Sequence, residues 1–93
     1  MKWTQEAIGK FNEEIGATPE GLIHHLEEEL MELQQDAGTT MEIMECADMV
    51  ILLKGYAHLR GFDLDKAVDD KMDINVEREW QNPDNDGVVR HRK

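Results

Sequence analysis

Two pairs of acidic residues lie close together in the sequence and could bind metal ions. The first pair is Glu29 and Glu32, and the second, separated from it by twelve residues, is Glu45 and Asp48. Residues three apart project from the same side of a helix, so each pair aims two carboxylates in one direction. If the two helices lie antiparallel across the break at 37–39, all four carboxylates converge. Anions this close repel one another, so the cluster predicts bound cations, and all-oxygen ligation favours Mg²⁺, with Mn²⁺ as the alternative.

A solvated helix face is the alternative explanation for either acidic pair alone. Both pairs on consecutive helices, beside the apolar stripe, favour the metal site. Asp36 and Glu42 could add to the negative field without touching an ion, and His25 borders the predicted site.

A second set of polar residues could contact phosphate. Lys71, Asn75 and Arg78 are four and three apart and therefore share one helix face. If that face is turned to the metal cluster, the Lys71 and Arg78 side chains suit phosphate oxygens. The Asn75 amide suits a sugar hydroxyl. Ordinary salt bridges to neighbouring acidic residues are the alternative, and the spacing alone does not decide between them.

Length and charge restrict the classes of function. The chain has 93 residues, enough for one small domain, and a formal charge of −11. A chain this short buries a modest core, so oligomerisation is a plausible way to enlarge it. The acidic balance argues against nucleic-acid and membrane binding. Cys46 is the only cysteine and is predicted to be a small core residue, and the start of the chain lacks a signal peptide, so we expect a cytoplasmic protein.

Apolar periodicity predicts an α-helix at the start of the chain and a second one after a short loop. Thr4 caps a short helix whose inward side chains are Ala7, Ile8 and Phe11. Thr18 caps the second helix, with Pro19 at its first position, and this helix runs to about Asp36. Its apolar stripe consists of Leu22, Ile23, Leu26, Leu30 and Leu33. The first acidic pair falls beside this stripe rather than opposite it.

The third helix is predicted from near Thr40 to near Arg60, where Gly61 can form a left-handed cap. Its middle, residues 47–53, is apolar on nearly every side except at Asp48. A helix that is apolar all round is buried, so Asp48 is predicted to be a charge within the core, where it must be paired or bound to metal.

The fourth helix is predicted from Leu64 to about Trp80, with Asp63 as its cap. Its predicted inward residues are Ala67, Val68, Met72, Val76 and Trp80. Residues 84–87 predict a turn, and the basic tail 90–93 is expected to be mobile. The whole predicts an all-α, compact bundle of about four helices in one domain, 1–93, with an N-terminal helix and loop (1–17) and a tail (82–93).

These motifs make the chain resemble the MazG superfamily of all-α nucleoside triphosphate pyrophosphohydrolases. The hallmark of that superfamily is E-x-x-E followed by E-x-x-D, which corresponds here to segments 29–33 and 45–53. The chain looks most like the phage and bacterial dATP/dGTP diphosphohydrolases, the MazZ-like group. That closer resemblance rests on segments 18–26, 60–61, 71–80 and 83–91.

The resemblance implies Mg²⁺-dependent hydrolysis of a (deoxy)nucleoside triphosphate, with a lean to dGTP and dATP, to the monophosphate and pyrophosphate. The implied metal ligands are Glu29, Glu32, Glu45 and Asp48. Lys71, Asn75 and Arg78 would contact substrate. A metal-activated water would attack, with Glu29 preferred as the acceptor of its proton. The resemblance also implies a homodimer or dimer of dimers with sites near the helix interface, in the cytoplasm of a bacterial cell or phage-infected host.

The competing interpretation is a non-enzymatic acidic helical protein, such as a DNA mimic or a regulatory binding protein. The net charge of −11 favours it. The predicted burial of Asp48 disfavours it, because mimicry requires exposed charge.

Overall fold

Four α-helices make up the fold, as the sequence predicted. The computed structural model describes residues 2–92, with α1 at Gln5–Glu14, α2 at Pro19–Asp36, α3 at Glu42–Arg60 and α4 at Leu64–Glu77. Within 2–92 the only β pairing is an isolated bridge between Trp80 and His91. The all-α class is therefore confirmed. None of the four helices described is long and apolar enough to cross a bilayer.

The predicted helix ends agree closely with the structure. Thr4, Thr18 and Asp63 each accept a hydrogen bond at 3.1 Å from the backbone N–H three residues further on. These caps satisfy N–H groups that the first turn leaves without helical partners. Gly61 ends α3 with a φ of 81°, in the left-handed region that favours glycine. The fourth helix ends at Glu77, earlier than the predicted Trp80.

The core forms where α1 and α2 pack against α3. Its buried apolar side chains are Ile8, Leu22, Leu52 and Ala57. The α1–α3 contact is close because glycines stand on both sides of it. A Cβ on Gly9 would lie 2.0 Å from His58 Cγ, and a Cβ on Gly55 would lie 2.4 Å from Asn12 Nδ2. Both positions therefore require glycine for steric reasons.

Many residues predicted to be in the core are exposed. They are Phe11 of α1, Ile23 and Leu30 of α2, and Cys46, Val50, Ile51 and Leu53 of α3. The reason is that α1 and α2 cover only part of α3. The prediction that α3 is buried on nearly every side is therefore wrong for this chain, which does not supply enough surface to cover it.

The fourth helix projects from the bundle, which contradicts the prediction that it packs inward. No residue of α4 is buried, and Ala67, Val68, Met72, Val76 and the following Trp80 are all exposed. Polar contacts hold the start of α4: the Gln5 side chain donates to Phe62 O at 2.7 Å and accepts from Leu64 N at 2.9 Å. Lys54 Nζ lies 3.6 Å from Asp65 Oδ1.

The segment after α4 folds back as a short hairpin. Gln81 N donates to Arg90 O, and Arg92 N donates to Glu79 O, both at 2.8 Å. The predicted turn is confirmed, since Asp84 Oδ1 accepts from the backbone N–H groups of residues 86 and 88 at 2.9 Å. The mobility of the basic tail stays a prediction, and position 93 lies outside the described residues.

We expect Gly55→Ala to destabilise the protein although alanine is the better helix former. The alanine methyl gains about 1 kcal/mol in helix propensity. Its collision with the buried Asn12 side chain costs about 1–3 kcal/mol and moves α1 away from α3. Thermal unfolding followed by circular dichroism measures the net loss.

Gly21→Ala is the matched control, because the nearest atom to a Cβ there is the Thr18 hydroxyl oxygen at 3.1 Å. Equal midpoints for the two variants would contradict the close α1–α3 contact.

Candidate functional site

The two acidic pairs lie on α2 and α3, and these helices pack side by side. Glu29 and Glu45 are both buried, each only 7% exposed. Glu32 and Asp48 are exposed at the edge of the same region. The four are electrostatic neighbours: the charges of Glu32 and Asp48 both act on Glu29, and those of Glu29 and Glu32 act on Glu45. The two pairs are therefore neighbours, while their convergence on a single metal site stays a prediction.

Two carboxylate oxygens in this cluster have no hydrogen-bond partner. Glu29 Oε2 and Glu45 Oε2 are both buried and unpaired, while the other oxygen of Glu29 lies 3.4 Å from His25 Nε2. A buried, unpaired carboxylate oxygen is costly, and a hard divalent cation is the partner that such oxygens prefer. The donor set therefore suits Mg²⁺ or Mn²⁺. Among residues 2–92 no three such side chains stand in metal-binding geometry.

Crowding raises the pKa of both buried glutamates. The pKa of Glu45 is raised to about 7, first because the Asp36 carboxyl lies within hydrogen-bonding reach, then because of burial and the neighbouring charges. The pKa of Glu29 is raised mainly by burial and then by the charges of Glu32 and Asp48, while His25 opposes the shift. No lysine or arginine is among these main influences.

Asp36 stands closer to the cluster than the sequence indicated. It is the last residue of α2, and Glu45 lies in the first turn of α3. The two carboxyls meet because the loop between the helices is short, and Glu42 Oε2 closes that loop by accepting from Gly38 N at 2.8 Å. Acidic residues on both sides of a short loop between two helices are the sequence signal that predicts such a pair.

Asp48 is not embedded in the core, contrary to prediction. It is exposed and lines the rim of a cavity of about 490 Å³ between α1, the α1–α2 loop, α2 and α3. The apolar residues around it on α3 were expected to surround it, but part of that face has no cover in this chain. The cavity also contacts Asn12, Leu22 and His25, so it adjoins the carboxylate cluster.

The predicted substrate-contacting residues lie on the projecting helix and not beside the carboxylates of the same chain. Lys71 is exposed, while Asn75 and Arg78 are half-buried at the end of α4. Arg78 Nη1 lies 3.4 Å from His91 Nδ1, and the buried Asn75 Oδ1 has no hydrogen-bond partner. Neither Lys71 nor Arg78 takes part in an ion pair within the described part of the chain. The alternative of ordinary salt bridging is therefore not what the structure has.

We expect the metal-free protein, held in EDTA, to lose thermal stability as the pH rises from 4.5 to about 7, the ordinary and folded pKa values of Glu45. In this window the folded state holds a proton on Glu45 that the unfolded state has released, so rising pH favours unfolding. Glu45→Gln removes this contribution and flattens the pH dependence of the melting temperature, leaving the part due to Glu29.

Glu27→Gln, an exposed position on α2, is the control and keeps the wild-type slope. A slope in Glu45→Gln equal to that of the wild type would mean that Glu45 is not the group that titrates.

Comparison with known proteins agrees with this geometry. A family profile described as dATP/dGTP pyrophosphohydrolase matches residues 1–93. A dATP/dGTP diphosphohydrolase of Salmonella phage PMBT28 is 42% identical over 66 residues, which cover 71% of this chain and 22% of that protein. The chain thus matches only about a fifth of the length of this relative.

A solved structure extends the likeness over nearly the whole fold. The cyanophage S-2L MazG-like pyrophosphohydrolase, bound to dGDP and three catalytic Mn²⁺ ions per active site, superposes with a TM-score of 0.78 at 31% identity. The match covers 96% of this chain and 89% of that one. On the strength of the full-length profile, supported by this fold and the paired acidic motifs, the chain belongs to the dATP/dGTP pyrophosphohydrolase family.

Proposed function

We propose that this protein hydrolyses purine deoxynucleoside triphosphates, dGTP or dATP, to the monophosphate and pyrophosphate. The observation that carries the proposal is the pair of buried, unpaired oxygens of Glu29 and Glu45 beside the carboxylates of Glu32 and Asp48. Family membership and the dGDP and Mn²⁺ ions held by the cyanophage relative support the same chemistry.

Divalent ions are needed because both the protein, at −11, and a triphosphate are anionic. The residues that would hold them are Glu29, Glu32, Glu45 and Asp48. When bound there, Mg²⁺ or Mn²⁺ would neutralise phosphate charge and lower the pKa of water. The carboxylate oxygens without partners suit this task, because ion binding replaces the protons that the cluster otherwise retains.

Glu29 is our candidate for the acceptor of the proton. A water oxygen bonds to the α-phosphorus, the bridging bond to the β-phosphate breaks, and pyrophosphate leaves. The proton of the attacking water passes to Glu29, a buried carboxylate of the cluster. Little covalent chemistry is asked of the protein, since positioning and charge do most of the work.

A second copy of the chain would complete the site, as a homodimer or dimer of dimers. The apolar residues of α3 left uncovered and the apolar side of α4 both require a partner surface. The projecting α4 would then carry Lys71, Asn75 and Arg78 to the carboxylates of the neighbouring chain. The Lys71 and Arg78 side chains would bind phosphate oxygens there, which explains why they lack ion pairs within the described part of their own chain.

The structure changes which residues argue against the competing idea of an acidic DNA mimic. Asp48 is exposed, so it does not speak against mimicry as the sequence suggested. The burial of Glu29 and Glu45 does, because charge hidden from a partner cannot imitate a phosphate backbone. We therefore retain the enzyme, acting without nucleic acid or membrane in the cytoplasm of a bacterial or phage-infected cell.

We expect Glu32→Gln and Asp48→Asn to lower the rate of pyrophosphate release from dGTP and dATP by about hundredfold or more. Each removes an exposed carboxylate from the metal set without creating a buried defect. Pyrophosphate release in Mg²⁺, in Mn²⁺ and in EDTA measures the effect, and EDTA abolishes turnover by the wild type.

Glu28→Gln is the matched control, since this exposed residue lies one turn from Glu32 on the same helix. It keeps wild-type activity. The proposed function fails if the folded wild-type protein releases no pyrophosphate from any deoxynucleoside triphosphate, or if its turnover survives EDTA.

Complementation tests the contribution of α4 from a partner. Glu45→Gln and Lys71→Ala are each expected to be inactive alone. After the two are mixed under conditions that exchange subunits, activity should return to about a quarter of the wild-type level, because half of the dimers are mixed and half of their sites are intact. Analytical ultracentrifugation confirms the exchange, and mixing that restores nothing would place Lys71 in the site of its own chain or outside it.

A further inference from the structure

We propose that His91 positions the guanidinium group of Arg78 for contact with substrate phosphate. This inference rests on the proposed function, in which Arg78 binds phosphate oxygens, and it adds a positioning residue to that site. Arg78 requires such a residue because α4 ends at Glu77. At Arg78 the backbone is extended, with φ −85° and ψ 151°, so helical geometry no longer directs its side chain toward the face of Lys71 and Asn75.

The contact between the two side chains determines the chemical form of His91. Arg78 Nη1 lies 3.4 Å from His91 Nδ1. A guanidinium group can only donate, so Nδ1 is the acceptor and the neutral ring carries its proton on Nε2. A neutral acceptor orients Arg78 without neutralising its charge, unlike a carboxylate. No carboxylate among residues 2–92 forms an ion pair with Arg78, so its charge and its other N–H groups remain for phosphate oxygens.

The hairpin that follows α4 fixes the position of the His91 ring. His91 and Trp80 lie opposite each other in the isolated β-bridge. Their rings meet edge to face, with centroids 5.9 Å apart and planes at 83°. At the turn of the hairpin, Asp84 forms an ion pair with Arg90 and accepts hydrogen bonds from two backbone N–H groups. Contacts at both ends of the hairpin thus hold the imidazole beside Arg78.

Trp80 connects the same hairpin to Asn75. Its Nε1 donates to Asn75 O at 3.0 Å, and Arg78 N donates to the same oxygen at 3.2 Å. These bonds satisfy a carbonyl that the end of α4 leaves without a helical partner. The Asn75 Oδ1 atom is buried and unpaired, which is costly unless a ligand supplies a donor. The hairpin therefore fixes both groups at the end of α4 that the proposed function assigns to the substrate.

Two substitutions of His91 separate the hydrogen bond from the ring packing. His91→Phe keeps an aromatic ring against Trp80 and removes the acceptor. His91→Asn loses the ring, but its side-chain oxygen replaces Nδ1 as the acceptor. We expect His91→Phe to raise the KM for dGTP and dATP about threefold to tenfold with kcat little changed. His91→Asn should restore most of the wild-type KM.

His24→Phe, at an exposed histidine of α2, is the control for these variants and keeps the wild-type KM. Equal KM values for His91→Phe and His91→Asn overturn the positioning role, whether the shared value is raised or is that of the wild type.

Arg78→Ala tests whether His91 acts through Arg78. Once the guanidinium group is gone, His91→Phe has nothing left to misplace, so the double variant should have the KM of Arg78→Ala alone. A further rise as large as the one in the wild-type background would overturn the inference, because His91 would then act independently. The NMR signal of the Trp80 indole N–H, kept at its wild-type position, shows that the hairpin remains folded in these variants.

Two measurements that need no turnover separate this inference from the proposed function. NMR of the ring nitrogens in the metal-free wild type should show the neutral His91 ring protonated on Nε2. A proton on Nδ1 overturns the inference even if the variants do not fold.

The second measurement uses a dGTP analogue with an imido bridge between the α- and β-phosphates, added with Mg²⁺. It should bind His91→Phe about threefold to tenfold more weakly than the wild type. That difference in a protein that hydrolyses no triphosphate would support the positioning role while the proposed function fails. An active wild type whose affinity for the analogue matches that of His91→Phe overturns the positioning role alone.

Discussion

Burying carboxylates on a strongly acidic protein is the constraint on which the rest of this structure depends. Glu29 and Glu45 are removed from water in a chain of net charge −11, and the charges nearest to them are mostly negative too. No interaction among the described residues fully offsets this cost, so it must be offset by protons, by divalent ions, or by both in exchange.

A single chain leaves apolar surfaces of α3 and α4 uncovered. Two helices cover part of α3, and α4 leaves the bundle with its apolar side chains exposed. These surfaces and the missing positive charge at the carboxylates are two aspects of one arrangement. A partner that covered the apolar surfaces could also bring the basic residues of α4 to the anions. Packing and electrostatics would then be satisfied by the same association.

The sequence predictions were accurate where a feature depends on residues close together in the sequence, and less accurate where it depends on distant contacts. Caps at Thr4, Thr18 and Asp63 and the end of α3 at Gly61 follow from hydrogen bonds and backbone angles within a few residues, and all were predicted. The spacing of the acidic pairs likewise made them electrostatic neighbours once the helices packed together. Burial of Asp48 and of the α4 residues was predicted wrongly, because apolar periodicity shows that a face needs cover but not which chain provides it. The contact of Asp36 with Glu45 depends on the geometry of a loop, which the helical pattern does not contain.

Gln5, near the start of the chain, hydrogen-bonds the backbone at the start of α4. Its amide spans the corner before α4, joining Phe62 O and Leu64 N across 57 and 59 residues of sequence. A side chain in the first turn of α1 thus helps to fix the direction in which α4 leaves the bundle, together with the Lys54–Asp65 ion pair. Substitution of Gln5 would therefore change the position of the far end of α4. The contacts between neighbouring subunits would change with it, although every acidic residue stays the same.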